Sequence, residues 1–112
     1  MVTFKSAHGE EHQHIYGAVK GDGTSIWGTQ HPSNDDYSVE KKSAGHYKIT
    51  FTNEFKYEPG VIGSIYGDDN SGFFSVSVCR VSKSSFECYT TDTRGNAYDY
   101  YGFTFLAFGE KK

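Results

Sequence analysis

A chain of 112 residues can build one hydrophobic core but not two, so any site must sit on a single scaffold. Its formal net charge of −3, with both signs mixed along the chain, excludes the basic footprint of a nucleic-acid binder or of a protein held to an anionic membrane. Nine Phe, nine Tyr, 13 Gly, two Pro and a single leucine favour twisted strands and tight turns over amphipathic helices, which sets the expectation of an all-β fold.

The first residues, "MVTFKSAHGEEHQHIYG", are polar and lack the apolar core of a signal peptide, and no later run approaches membrane-spanning length. Residues 1–14 show no hydrophobic period and carry His8, His12 and His14 beside Glu10 and Glu11. They read as a flexible arm, ahead of a β-domain over 15–109 and a short tail at 110–112. Gly21-Asp22-Gly23 between two apolar runs predicts a hairpin of 15–19 with 25–28. After the loop 31–36, a strand at 37–41 and a turn at Ala44-Gly45 lead into a clean alternation. There Tyr47, Ile49 and Phe51 face one way, Lys48 and Thr50 the other. Pro59-Gly60 breaks the chain before "VIGSIYG", an apolar run expected as a core strand.

The stretch "GDDNSG" follows. An acidic pair after glycine is what a nucleotide polymerase uses to hold magnesium, but that needs a larger α+β chain and a third acidic motif. Here Gly, Asp, Asn and Ser fit a turn between strands, with sugar or calcium contacts through Asp68, Asp69 and Asn70 as the alternative. Residues 73–81 alternate again, and 72–81 pair with 84–92 as a hairpin. Residues 93–97 form a further loop, and "YGFTFLAFG" closes the chain with apolar residues on both faces. A strand of that kind is central, or covered by a partner.

Strands at a spacing of roughly 8–12 residues, separated by turn signals, predict a single antiparallel β-sandwich of about six to eight short strands. The two cysteines, Cys79 and Cys88, fit neither a disulfide framework nor a zinc ribbon. In the predicted hairpin they come nearly opposite each other, so a strained cross-strand bridge and two half-buried free thiols both stand, the second favoured by the usual burial of free cysteine.

The runs "GHYKITFTNEFKYEPGVIGSIY", "VSVCRVSKSSFECYTTD" and "FTFLAFG" together resemble the H-type lectin domain. In that pattern an Ile-x-Phe strand precedes a Pro-x-Val strand, and a hairpin leads to Cys-Tyr-Thr. Residues 15–109 are also similar to the small β-sandwich tips of phage and bacterial tail fibres, in which a Gly21–Gly28-type hairpin precedes a Tyr-x-Ile-x-Phe strand. The lectin resemblance implies a homotrimer binding N-acetylgalactosamine-type sugars near subunit interfaces. Two departures follow from the same alignment. Thr91-Asp92 stands where the lectins carry Trp-His, and Ser77 where they carry an arginine, so a glycan site here must use other residues.

"TTDTRGNAYDYYG" offers such residues. Sugars need an aromatic face and planar polar groups, and Asp92, Arg94, Asn96, Tyr98 and Tyr100 supply both in one loop with the economy of a paratope. The competing reading is that the tyrosines pack in the sandwich while Asp92 and Asn96 cap a turn. Trp27, the only tryptophan, is expected in core or interface packing rather than as a stacking platform. His12 and His14 lie two residues apart, on one side of an extended segment. Three copies in a trimer would give six imidazole nitrogens for iron, nickel or zinc, while a solvated arm with incidental histidines is the plainer reading. The pairs Glu10-Glu11, Asp35-Asp36 and Asp68-Asp69 are neighbours that would point apart on a strand, which argues against a glycosidase and for a non-enzymatic protein without a cofactor. The expected function is a carbohydrate-binding module for surface glycans, multivalent by trimerisation. The alternative is a structural, receptor-contacting fibre tip with no affinity for free sugar.

Overall fold

A computed structural model describes residues 2–5, 10–28, 36–67 and 73–112. Among them are nine strands: β1 (Val2–Lys5), β2 (Glu11–Val19), β3 (Ser25–Gly28), β4 (Tyr37–Ser43), β5 (His46–Phe51), β6 (Gly60–Tyr66), β7 (Ser75–Cys79), β8 (Ser85–Thr91) and β9 (Gly102–Glu110). All pairings are antiparallel. One sheet runs β1-β2-β9-β6, with β3 continuing along the edge of β2 that β1 occupies lower down; the other runs β4-β5-β8-β7. The described chain is thus the all-β sandwich expected from its strand spacing.

Alternation in sequence becomes alternation in burial. Tyr47, Ile49 and Phe51 of β5, Phe86 and Cys88 of β8, and Ile15, Phe103, Phe105 and Ala107 of β2 and β9 form the shared core between the sheets. Rings cross the interface: Tyr37 meets Phe105 edge-on with centroids 4.9 Å apart, Tyr47 lies 5.1 Å from Phe103, and Phe86 lies 5.3 Å from Phe105. Each such side chain contributes about 1.5–3 kcal/mol on burial, so these aromatics are the main stabiliser of the sandwich.

β9 is central, as its two apolar faces imply, flanked by β2 and β6. β6 departs from its expectation as a core strand: it is an edge strand, and only its alternate residues reach the core. Val61 packs against the core while Ile62, Ser64 and Tyr66 point out, because a strand of a sandwich presents one face to each side. Of residues 1–14, expected as an arm, the stretches 2–5 and 11–14 lie in strands. Val2–Lys5 pair with residues 11–14 of β2, and those four residues also pair with β9 or its neighbour Lys111. In the expected tail, Glu110 ends β9, and Lys111 bridges to Phe55.

The β7–β8 hairpin forms as expected, but its register corrects the reading of the cysteines. Cys79 pairs with Glu87 and Cys88 with Val78, so the thiols occupy neighbouring rungs on opposite faces and both are free. A one-residue offset reverses facing, since side chains alternate with period two. The backbone of Trp27 pairs with Ala18; its side chain lies outside the described ones.

Candidate ligand-binding cleft

At the end of the sandwich where β2 leaves its sheet, three segments converge: the β2–β3 turn, the C-terminal end of β6 and the chain entering β9. Between them opens a cleft of about 520 Å³, whose polar and aromatic lining includes Lys20, Asp22, Tyr66, Asp99, Tyr100 and Tyr101.

The turn is built by Asp22 and Gly23. Asp22 Oδ1 accepts the Thr24 N–H at 2.9 Å and also the Thr24 hydroxyl, and Gly23 adopts φ 91°, which closes Lys20 onto Thr24 through a 2.8 Å N–H to carbonyl bond. The loop is then docked onto its surroundings. The Tyr47 hydroxyl donates to the Gly21 carbonyl at 2.6 Å, and a Cβ at Gly21 would fall 1.8 Å from the Asp99 carbonyl oxygen. Only glycine permits that approach. Asp99 is held in turn by Lys41, whose ammonium donates to Oδ2 at 2.6 Å.

Two ionised carboxylates result. The Thr24 hydroxyl, and then its N–H, hold Asp22 below the usual carboxylate range; the Lys41 ammonium does the same for Asp99. Around them, Tyr100 is 70% exposed and Tyr66 46% exposed, whereas Tyr101 is 8% exposed and anchors its neighbours. The Tyr101 ring lies edge-on to Tyr100 and to Phe74, each at 4.9 Å, and Phe74 supports Tyr98 at 5.4 Å. The loop therefore presents tyrosine on a buried aromatic base rather than on a loose tip.

Of the five residues singled out in the sequence, only Tyr100 lines this cleft, with Tyr98 beside it at a ring separation of 6.5 Å. Asp92, Arg94 and Asn96 form a separate turn. Asp92 Oδ1 accepts the N–H groups of Arg94 at 2.9 Å and Asn96 at 3.0 Å, and the Asn96 amide reaches Oδ2 at 3.5 Å. Those bonds, the Asn96 N–H foremost, keep the Asp92 carboxyl low. The Thr90 hydroxyl donates to the Tyr98 carbonyl at 2.5 Å, and the Tyr98 N–H returns to the Thr90 carbonyl, tying the turn to β8. Asp68, Asp69 and Asn70, the predicted loop contacts, lie outside the described residues.

Sequence reasoning assigned Asp22 to turn formation and Tyr66 to a strand, and it passed over Lys20. The one available signal was Asp99, inside the polar aromatic segment; the rest depends on contacts between residues far apart in the chain. His12 and His14 stand on the outer face of the five-stranded sheet on either side of buried Gln13, opposite Glu110 and Phe108 of β9. Among the described residues no cluster of three or more His, Cys, Asp or Glu could hold a metal ion. No family model, curated protein or solved structure matches this chain.

Proposed function

We propose that this chain is a lectin-like carbohydrate-binding module that recognises surface glycans through the cleft at Tyr66 and Tyr100 and assembles as a homotrimer. The observation that carries the reading is the pairing of exposed tyrosine faces with ionised Asp22 and Asp99 in one open cleft. A pyranose has an apolar face that tyrosine covers and hydroxyls that donate to carboxylates. Binding is favoured over hydrolysis by the same carboxylates, because a general acid at a glycosidic oxygen needs a raised pKa and both are lowered. Weak individual sites gain strength when three are presented together.

The test is a titration of isotope-labelled protein with galactose and N-acetylgalactosamine, with and without calcium, read at Tyr100, Gly102, Arg94 and Asn96. Saturable shifts at Tyr100 and Gly102 are expected, and Tyr100→Ala should weaken binding about fivefold to tenfold. Shifts confined to Arg94 and Asn96 would move the site to the adjacent turn; silence at every position would remove the lectin reading. The second reading, a trimeric fibre tip without free-sugar affinity, is favoured by the exposed apolar side chains Tyr16, Ile62 and Phe108 on the outer face of the five-stranded sheet. A stable trimer that ignores both sugars would select it.

A further inference from the structure

At the other end of the sandwich a second cleft, of about 340 Å³, opens between the start of β2, the segment after β5 and the chain beyond β9. The registers place it away from the first: Gln13 pairs with Gly109 here, whereas Val19 pairs with Phe103 beside the first cleft. At roughly 3.3 Å per residue, the six steps from Gln13 to Val19 separate the two by roughly 20 Å.

Gln13 is 0% exposed and forms the floor. Its Nε2 donates to the Asn53 carbonyl at 3.1 Å, which fixes the amide orientation, since the flipped form would set carbonyl against carbonyl. Its Oε1 has no hydrogen-bond partner among the described residues. A buried acceptor in that condition calls for a donor. The cleft is far larger than the ~30 Å³ that one water occupies, so it has room for a ligand as well as for solvent.

The rest of the lining defines what fits. Lys112 is ion-paired with Glu54, and Lys111 with Glu11 at 3.4 Å, so the charges at the mouth cancel in pairs. Thr52 and Asn53 also line it, and among the described residues the lining has no aromatic side chain. A cleft with paired charges and an unsatisfied acceptor at its floor selects a neutral ligand rich in hydroxyls, held by hydrogen bonds and not by ring stacking.

We propose that this cleft is a second ligand site, for a neutral polyhydroxylated molecule whose hydroxyl donates to Gln13 Oε1 while Glu54 and Lys112 engage its outer hydroxyls. The site stands independently of the tyrosine-lined cleft. If both are filled, one chain carries two glycan contacts at opposite ends and bridges ligands without any assembly.

The side-chain amide signal of Gln13 is the readout, followed in the full chain during separate titrations with methyl α-galactopyranoside and with sorbitol. Saturable movement of that signal with either probe is expected. A response to the galactoside alone assigns the site to ring sugars, and a response to sorbitol alone assigns it to open polyols. Glu54→Gln, at an exposed position that leaves the fold intact, should weaken the response about tenfold. A Gln13 signal unmoved by both probes overturns the proposal, even if Tyr100 and Gly102 respond. Movement at Gln13 with Tyr100 silent upholds it and counts against the first cleft instead.

Discussion

Cys88 and Cys79 differ by one rung of a ladder, and that rung decides their chemistry. Cys88 faces the core, where burial pushes its thiol up to about 12, with the neighbouring Cys79 a smaller contributor. Thiolate is the reactive species, so Cys88 is inert at neutral pH, whereas Cys79 is only half-buried on the outer face. A thiol-disulfide reagent at pH 8 should therefore titrate one group per folded chain and two after denaturation. Cys79→Ser should abolish the native signal at a stability cost within about 0.5 kcal/mol, and Cys88→Ser should cost about 1–3 kcal/mol by burying a hydroxyl. Two reactive thiols in the folded chain would contradict the register. The hairpin was legible in the alternation of "FFSVSVCRV", but its register was not. Arg80 adopts φ 49°, an irregularity for a residue with a side chain, at the point where the chain leaves β7. Nothing in the letters announces where such a turn absorbs a residue.

The β2–β3 turn and the segment 99–102 show the same limit between elements. Gly21-Asp22-Gly23 predicts the turn from local chemistry alone, and the turn is there. What the turn packs against depends on Tyr47, Lys41 and Asp99, which are distant in sequence and unmarked by any spacing. For this reason the candidate site was legible only through Tyr100 and its neighbours, while Asp22 and Tyr66 required the fold. Two glycine substitutions separate docking from turn geometry. Gly21→Ala places a methyl 1.8 Å from the Asp99 carbonyl, so one of the two loops must move. A loss of about 1–3 kcal/mol in denaturant unfolding and weakened saccharide binding at Tyr100 are the expected outcomes. Gly95→Ala meets no atom within 4 Å but must hold φ 80°, so it should cost about 1 kcal/mol in stability and leave Tyr100 binding unchanged. Equal effects of the two on binding would show that the cleft does not depend on the close approach of loop 99–102.

At the scale of the molecule, the two outer faces of the sandwich are unlike. The four-stranded sheet turns Ser75, Ser77, Lys48, Thr50 and Glu87 outward, with Glu87 held by His46 at 2.7 Å and Arg80 at 3.3 Å. The five-stranded sheet sets Tyr16, Leu106 and Ile62 in one row across β2, β9 and β6, with Phe108 in the next row lying over Gly60. Ile62 is 59% exposed and Tyr16 and Phe108 are each 38% exposed, an apolar surface of the kind that marks a protein contact rather than a solvated sheet. The alternation of "YGFTFLAFG" made apolar residues on both faces of β9 readable in the sequence. That Ile62 extends the outer row was not readable, because the edge position of β6 is a property of strand order. The proposed trimer would bury this row. A closed three-fold ring needs each copy to offer a different surface to each neighbour, and a sheet face adjoining the edge of β6 that no described strand pairs can do so. The wild-type chain should sediment as a trimer, and Ile62→Glu should yield a folded monomer that keeps its affinity for a single sugar but loses cell agglutination. Because Ile62 lies outside the core, a loss of folding is not expected to obscure the result. A wild-type monomer would leave the apolar row without its proposed occupant, and multivalency would then have to come from the two clefts of a single chain.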